Sequence, residues 1–212
     1  MLESSTLSLF IIACLVLLLT PGPAVLYIVA RSIDQGRMAG FVSVLGLAIG
    51  TLFHITAAAL GVSALLLSSA LAFSAIKYLG AAYLIYLGIK KFLVKEELNK
   101  KEVTTGQSLG RIFYQAIVVN ILNPKTALFF FAFLPQFVNT SKGSVTIQIL
   151  LLGLIFVFMG VISDGLYAVL SGTIGNWLRG NLRFLRAQRY FAGSVYIGLG
   201  ITTALSGSNR SK

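Results

Sequence analysis

Oily runs without charge set the pattern of this chain. Residues 4–30, 38–76, 143–163 and 190–209 contain no Asp, Glu, Lys or Arg, and the charged positions gather in the gaps between them. A helix needs about 20 mostly apolar residues to cross the hydrocarbon core of a bilayer, so each run predicts at least one spanning helix. The 39-residue run 38–76 is too long for one and divides near "LLLSSAL" (65–71). Six helices are predicted, at about 6–30, 39–66, 71–93, 112–136, 145–170 and 190–206. The fold class is an all-α polytopic membrane protein.

Two of these helices are interrupted. The first carries "TPGP" (20–23) and the fourth "NPK" (123–125). Proline inside a helix removes a donor and clashes with the preceding turn, at a cost of about 3 kcal/mol or more. Both breaks lie roughly 20 Å into their helices at ~1.5 Å per residue, hence near the middle of the bilayer. Non-helical backbone at that depth is tolerated only where protein buries it or water reaches it. A break is either a packing kink or a place where freed backbone groups bind something polar.

The interruptions belong to a repeat. "KYLGAAYLIYLGI" (77–89) aligns without gaps on "RYFAGSVYIGLGI" (189–201), matching Tyr78 with Tyr190, Gly88 with Gly200 and Ile89 with Ile201. The third helix then corresponds to the sixth, and an offset of three spans inverts the copy. The predicted organisation is a three-helix repeat over 1–94, a basic linker over 95–111, a second, inverted three-helix repeat over 112–206, and a tail at 207–212. In transporters built this way, paired interrupted helices mark the binding site near the midplane.

Charge then orients the chain. The gaps after the first, third and fifth helices hold twelve Lys and Arg, and the opposite side, termini included, holds four. Basic loops stay in the cytoplasm, which puts both termini outside. The first helix has Glu3 as its only nearby charge and a longer apolar stretch than a signal peptide, so it reads as a retained span. Of 212 residues, 57% are hydrophobic and 11% charged, against about 25% charged in soluble domains. The basic excess therefore points to the membrane's cytoplasmic side rather than to nucleic acid.

Polar residues inside the spans are the candidate chemistry. A carboxylate at a helix centre costs about 2.5–3.5 kcal/mol even on the lenient insertion scale, and such residues mark substrate or proton paths. Asp164 stands in this position in "FVFMGVISDGLYAVL" (156–170), and Lys125 follows Pro124 in the fourth helix. The two either pair with each other or complement the carboxylate and ammonium of a zwitterionic amino acid. The break at Thr20, Pro21, Gly22 and Pro23 is a second candidate, because the backbone N–H groups that follow it could take a carboxylate at the new helix N-terminus. Asn120 and Asn123, one turn apart, add hydrogen bonds to a substrate or act as glue between helices. His54, the only histidine, is the residue type suited to a proton relay near neutral pH, or packs. Asp34 pairs with Arg31 or Arg37, or gates. Gly46 and Gly50 form a small-xxx-small face for a homodimer or for close packing within one subunit.

No enzyme emerges. One histidine and one cysteine, Cys14, make no metal cluster and no disulfide. No Walker A sequence is present, and no cofactor is expected. Rival readings are an exporter of a metal ion or other small solute on the same scaffold, and a non-transporting membrane interaction protein docking through the linker.

"TPGPAVLYIVARSIDQGRMAGFVSVLGLAIG" (20–50), "YLGAAYLIYLGIKKF" (78–92) and "NPKTALFFFAFLPQF" (123–137) together resemble the LysE/RhtB family of bacterial amino acid exporters, over residues 5 to about 205. The resemblance implies an inner-membrane protein that exports amino acids, driven by the proton motive force. Pro21, Gly22 and Pro23 fall on its first motif, and Asn123, Pro124 and Lys125 on its second. Asp164 matches an acidic residue of related threonine and homoserine exporters. With Asp164 the only acid deep in a span, a neutral substrate is favoured over a dibasic one.

Overall fold

The computed structural model describes residues 4–68, 70–93, 106–141, 143–180 and, beyond these, positions 186, 187, 190, 194, 197, 198, 200, 201, 204 and 205. Most of the predicted linker, and the tail at 207–212, lie outside the described residues. No strand occurs among the described residues, which form α1 (Ser4–Leu19), α2 (Pro23–Ser68), α3 (Ala70–Leu93), α4 (Leu109–Ile121), α5 (Pro124–Leu128) and α6 (Val145–Gly180). A π-helical turn (Phe129–Phe133) and a 3-10 turn (Leu134–Phe137) continue α5. The described positions from 186 to 205 are helical too.

Proline chemistry sets the breaks. The residue before a proline is pushed out of the helical region, so α1 ends at Leu19, just before Thr20–Pro21, and α4 ends at Ile121. Asn123 is extended (φ −76°, ψ 109°), and its side chain accepts from the Lys125 amide. Pro23 and Pro124 each open a new helix at the first position, where a missing N–H costs nothing. The bend between Leu109–Ile121 and Pro124–Phe137 is 46°.

The long α2 is two arms. At Gly36 the backbone turns to φ 83°, ψ 175°, a conformation open chiefly to glycine. In a straight helix Ser32 and Gly40 would stand about 12 Å apart, yet a Cβ on Gly40 would lie 2.1 Å from Ser32 Oγ. The chain therefore folds back on itself, and Tyr27 of the first arm and Gly46 of the second both meet the same stretch of α4. The prediction of a helix starting near 39 is thereby recovered as the second arm. The fifth predicted helix differs: α6 runs to Gly180 rather than 170, through "SGTIGNWLRG", whose glycines weaken a helix without ending it and which holds no proline.

Packing is inverted relative to a water-soluble protein. Leu151, Leu154, Phe158, Ile162 and Leu166 of α6 are exposed, Phe158 to 69%, while Thr20, Ser43, Asn120, Asn123 and Lys125 are buried. An apolar exterior around a polar interior is the arrangement lipid demands. Pro23–Gly61, which includes the fold-back at Gly36, and Val145–Ser171 each contain a helical stretch long and apolar enough to cross a membrane, and the bent pair makes a third candidate.

Two apolar clusters fill the interior. The larger is rich in phenylalanine, with Phe10, Phe129, Phe130, Phe133, Phe137 and Phe156 from α1, the α5 segment and α6; the rings of Phe129 and Phe156 stack at 4.5 Å. The smaller gathers Ile28, Val44, Leu47, Ala116 and Ala168. Close approach of α2 to α4 depends on two glycines: a Cβ on Gly46 would meet Phe113 O at 2.4 Å, and one on Gly50 would meet Asn120 Cβ at 2.7 Å. The Gly46/Gly50 face is thus occupied within the subunit, and a homodimer draws no support from it.

Candidate functional site

Four helix ends converge where the two breaks meet. The last carbonyls of a helix lack intrahelical donors, and at the end of α1 side chains supply them. Thr20 Oγ1 donates to Val16 O at 2.6 Å, and Tyr167 OH of α6 donates to Leu19 O at 3.0 Å. The Lys125 ammonium donates to Leu17 O at 2.7 Å and to Thr20 O. A cation at these carbonyls also meets the negative end of the α1 dipole. Break one and break two are therefore joined through Lys125.

Asn120 is bound on every side. Its Nδ2 donates to Leu47 O and to Thr51 Oγ1, and its Oδ1 accepts from Thr126 Oγ1. Its main-chain carbonyl accepts from His54 Nε2 at 2.9 Å. This one side chain holds α2, α4 and α5 in register. His54 itself is buried, stacks on Phe130 with ring planes 6° apart, and keeps Nδ1 without a hydrogen-bond partner among the described residues.

A cavity of about 50 Å³ lies at the seam of the two apolar clusters, several times what one water needs. Its polar wall is Thr51, Asn120, Asn123, Lys125, Thr126 and Asp164. The rest of its lining is apolar and includes Leu18, Val25, Val157 and Val161. Gly22, Ala24 and Val25 bring the first turn of α2 to the cavity, where the amides of a helix's first turn have no intrahelical acceptor. Asp164 is partly buried and within electrostatic reach of Lys125. The cavity thus offers one cation, one carboxylate and the positive end of a helix within a single small space.

Of the residues singled out in the sequence, the fold brings Gly22, Asn120, Asn123, Lys125 and Asp164 to this cavity. Thr20 takes part through its carbonyl, while Pro21, Pro23 and Pro124 shape the breaks without lining the space. His54 stands behind Asn120. Asp34 is exposed at the end of the first arm of α2, away from the cavity. Sequence reasoning missed Thr51, Thr126 and Tyr167. Thr126 directly follows the second break, a signal that was legible; Thr51 and Tyr167 carry none, since hydroxyls on apolar helices are common.

A family model described as LysE type translocator matches residues 15–207. The chain belongs to that family. It is a membrane-embedded translocator of small solutes and not an enzyme. Among curated relatives of this translocator, the uncharacterized membrane protein YrhP of Bacillus subtilis is 32% identical over 199 residues, covering 90% of this chain and 94% of the relative. The homoserine/homoserine lactone efflux protein of Salmonella typhimurium is 31% identical over 195 residues, covering 92% and 94%. An uncharacterized membrane protein of Vibrio cholerae is 30% identical over 195 residues. No solved structure matches the chain.

Proposed function

We propose that this translocator exports a small neutral amino acid across the bacterial inner membrane, by proton antiport and alternating access. The observation that carries the reading is the presence of Lys125 and Asp164 on one cavity between two broken helices. The substrate carboxylate meets the Lys125 ammonium and the amides opening α2; its ammonium, or a proton, meets Asp164. A neutral amino acid leaves neither charge unmatched, and the likeness to a homoserine/homoserine lactone efflux protein agrees.

In this reading the chain crosses the membrane six times, as inverted repeats over 1–94 and 112–206 joined by the cytoplasmic linker 95–111, with both termini outside. The contact of Phe92 with Tyr190 and of Ala81 and Ile85 with Gly200 supports it, because the two aligned segments run antiparallel where they touch.

The test is counterflow in proteoliposomes loaded with unlabelled amino acid, following labelled threonine, homoserine, leucine and lysine, with and without an imposed pH gradient. Exchange of a neutral amino acid by the wild type is expected, with pH-driven movement lost in Asp164→Asn. Absence of any amino acid exchange from folded, inserted protein, or unaltered pH-driven flux in Asp164→Asn, would overturn the proposal.

A further inference from the structure

Glycine inside a helix is about 1 kcal/mol less favourable than alanine, so each one calls for a physical reason. For several here the reason is contact. An added Cβ would stand 2.1 Å from Ser32 Oγ at Gly40, 2.4 Å from Phe113 O at Gly46 and 2.7 Å from Ile55 at Gly153. Gly160 is different. It is buried in the middle of α6 and lines the cavity, yet its Cβ would meet only Leu18 Cδ2, at an ordinary 3.6 Å. Its backbone is helical and makes no demand for glycine, unlike Gly36.

What surrounds Gly160 supplies the reason that packing does not. Phe156 lies one turn before it and Asp164 one turn after, and all three line the cavity. Residues four apart share a helix face, so this face of α6 reads ring, gap, carboxylate. We infer that Gly160 sets the largest side chain the translocator accepts. An amino acid whose ammonium meets Asp164 and whose carboxylate meets the α2 end must lay its side chain against the apolar wall of Leu18, Val157 and Val161, in the space the missing Cβ leaves open. The substrate class is the short aliphatic or hydroxylated α-amino acids. This inference rests on the proposed site.

Counterflow of labelled alanine, threonine and leucine is compared in wild type, Gly160→Ala, Gly160→Leu and Asp164→Asn. Gly61→Ala is the control for losing a helical glycine, since nothing lies within 4 Å of its added Cβ. One methyl in an apolar pocket changes discrimination by about tenfold or more. Gly160→Ala is expected to lower the leucine-to-alanine exchange ratio about tenfold; Gly160→Leu is expected to lower the threonine-to-alanine ratio as well. If the wild type carries no leucine, the same shift is read between threonine and alanine. Ratios that stay fixed in both variants, or a uniform fall of all substrates in Gly160→Ala, overturn the inference. Asp164→Asn separates the two levels: fixed ratios with impaired Asp164→Asn sink only the size rule, whereas unimpaired Asp164→Asn sinks the charge assignment even if the ratios move.

Discussion

The ammonium of Lys125 donates to the carbonyl of Thr20, 105 positions earlier in the chain. This bond answers why an apolar helix breaks where breaking costs most. The Pro21–Gly22–Pro23 interruption leaves carbonyls that lipid cannot satisfy, and the second break delivers a cation to them. Each interruption is tolerable because of the other. The same arrangement keeps a charged lysine buried beside a carboxylate, in a space where a zwitterion can complement both.

Replacing Lys125 separates its two duties. Lys125→Ala removes the side-chain donor to the Thr20 carbonyl, while the Leu17 carbonyl keeps the Thr20 amide; at about 1–3 kcal/mol for an unsatisfied buried group, the detergent-solubilised protein is expected to melt earlier and exchange to fall below about a tenth. Lys125→Gln keeps a donor without the charge and is expected to recover stability but not exchange. Full exchange in Lys125→Gln would show that the charge is dispensable.

Asn120 and Asn123 should differ. Asn120→Ala removes three side-chain hydrogen bonds, to the Leu47 carbonyl, Thr51 and Thr126, although Thr51 still donates to the Leu47 carbonyl, and is expected to cost about 2–3 kcal/mol. Asn123→Ala removes one helix cap, worth about 1 kcal/mol. Melting curves of the two purified variants decide this, and equal shifts would count against Asn120 as the organising residue.

Glycine substitutions on the second arm of α2 test the interface with α4. Gly46→Val and Gly50→Val are expected to abolish monodisperse protein in size-exclusion chromatography, because backbone and Cβ atoms of α4 already occupy the space. Gly61→Val, which meets nothing within 4 Å, is expected to elute as wild type. Monodisperse Gly46→Val would mean that the two helices separate at little cost.

His54 is expected to support rather than relay. Its Nε2–H donates to the Asn120 carbonyl and its ring stacks on Phe130, so His54→Gln, which retains a donor, should keep pH-driven flux within about twofold. Intact exchange with pH-driven flux lost in His54→Gln would instead place proton transfer on this histidine.

Much of the architecture was legible in the chain because lipid imposes simple rules. Uncharged runs of sufficient length, prolines that cannot stay inside helices, and a carboxylate in an apolar segment all have local causes. The breaks at 20–23 and 123–125 therefore appear in the structure where the sequence put them. The end of α6 was not legible, since Gly172, Gly175 and Asn176 in its last turns read as a loop as readily as a helix.

By itself, then, the sequence determined a membrane-embedded helical chain, two broken helices and the pair Lys125 and Asp164 as the costly charges. Only the tertiary structure decided that Lys125 caps α1, that Asn120 spends its polar atoms on its neighbours, and that Gly46 and Gly50 face α4 rather than a second copy. The physical reason is the same in each case. Solvation by lipid and the limits of proline act on the residue itself, whereas a donor's partner, or the purpose of a missing Cβ, depends on atoms brought near from distant parts of the chain.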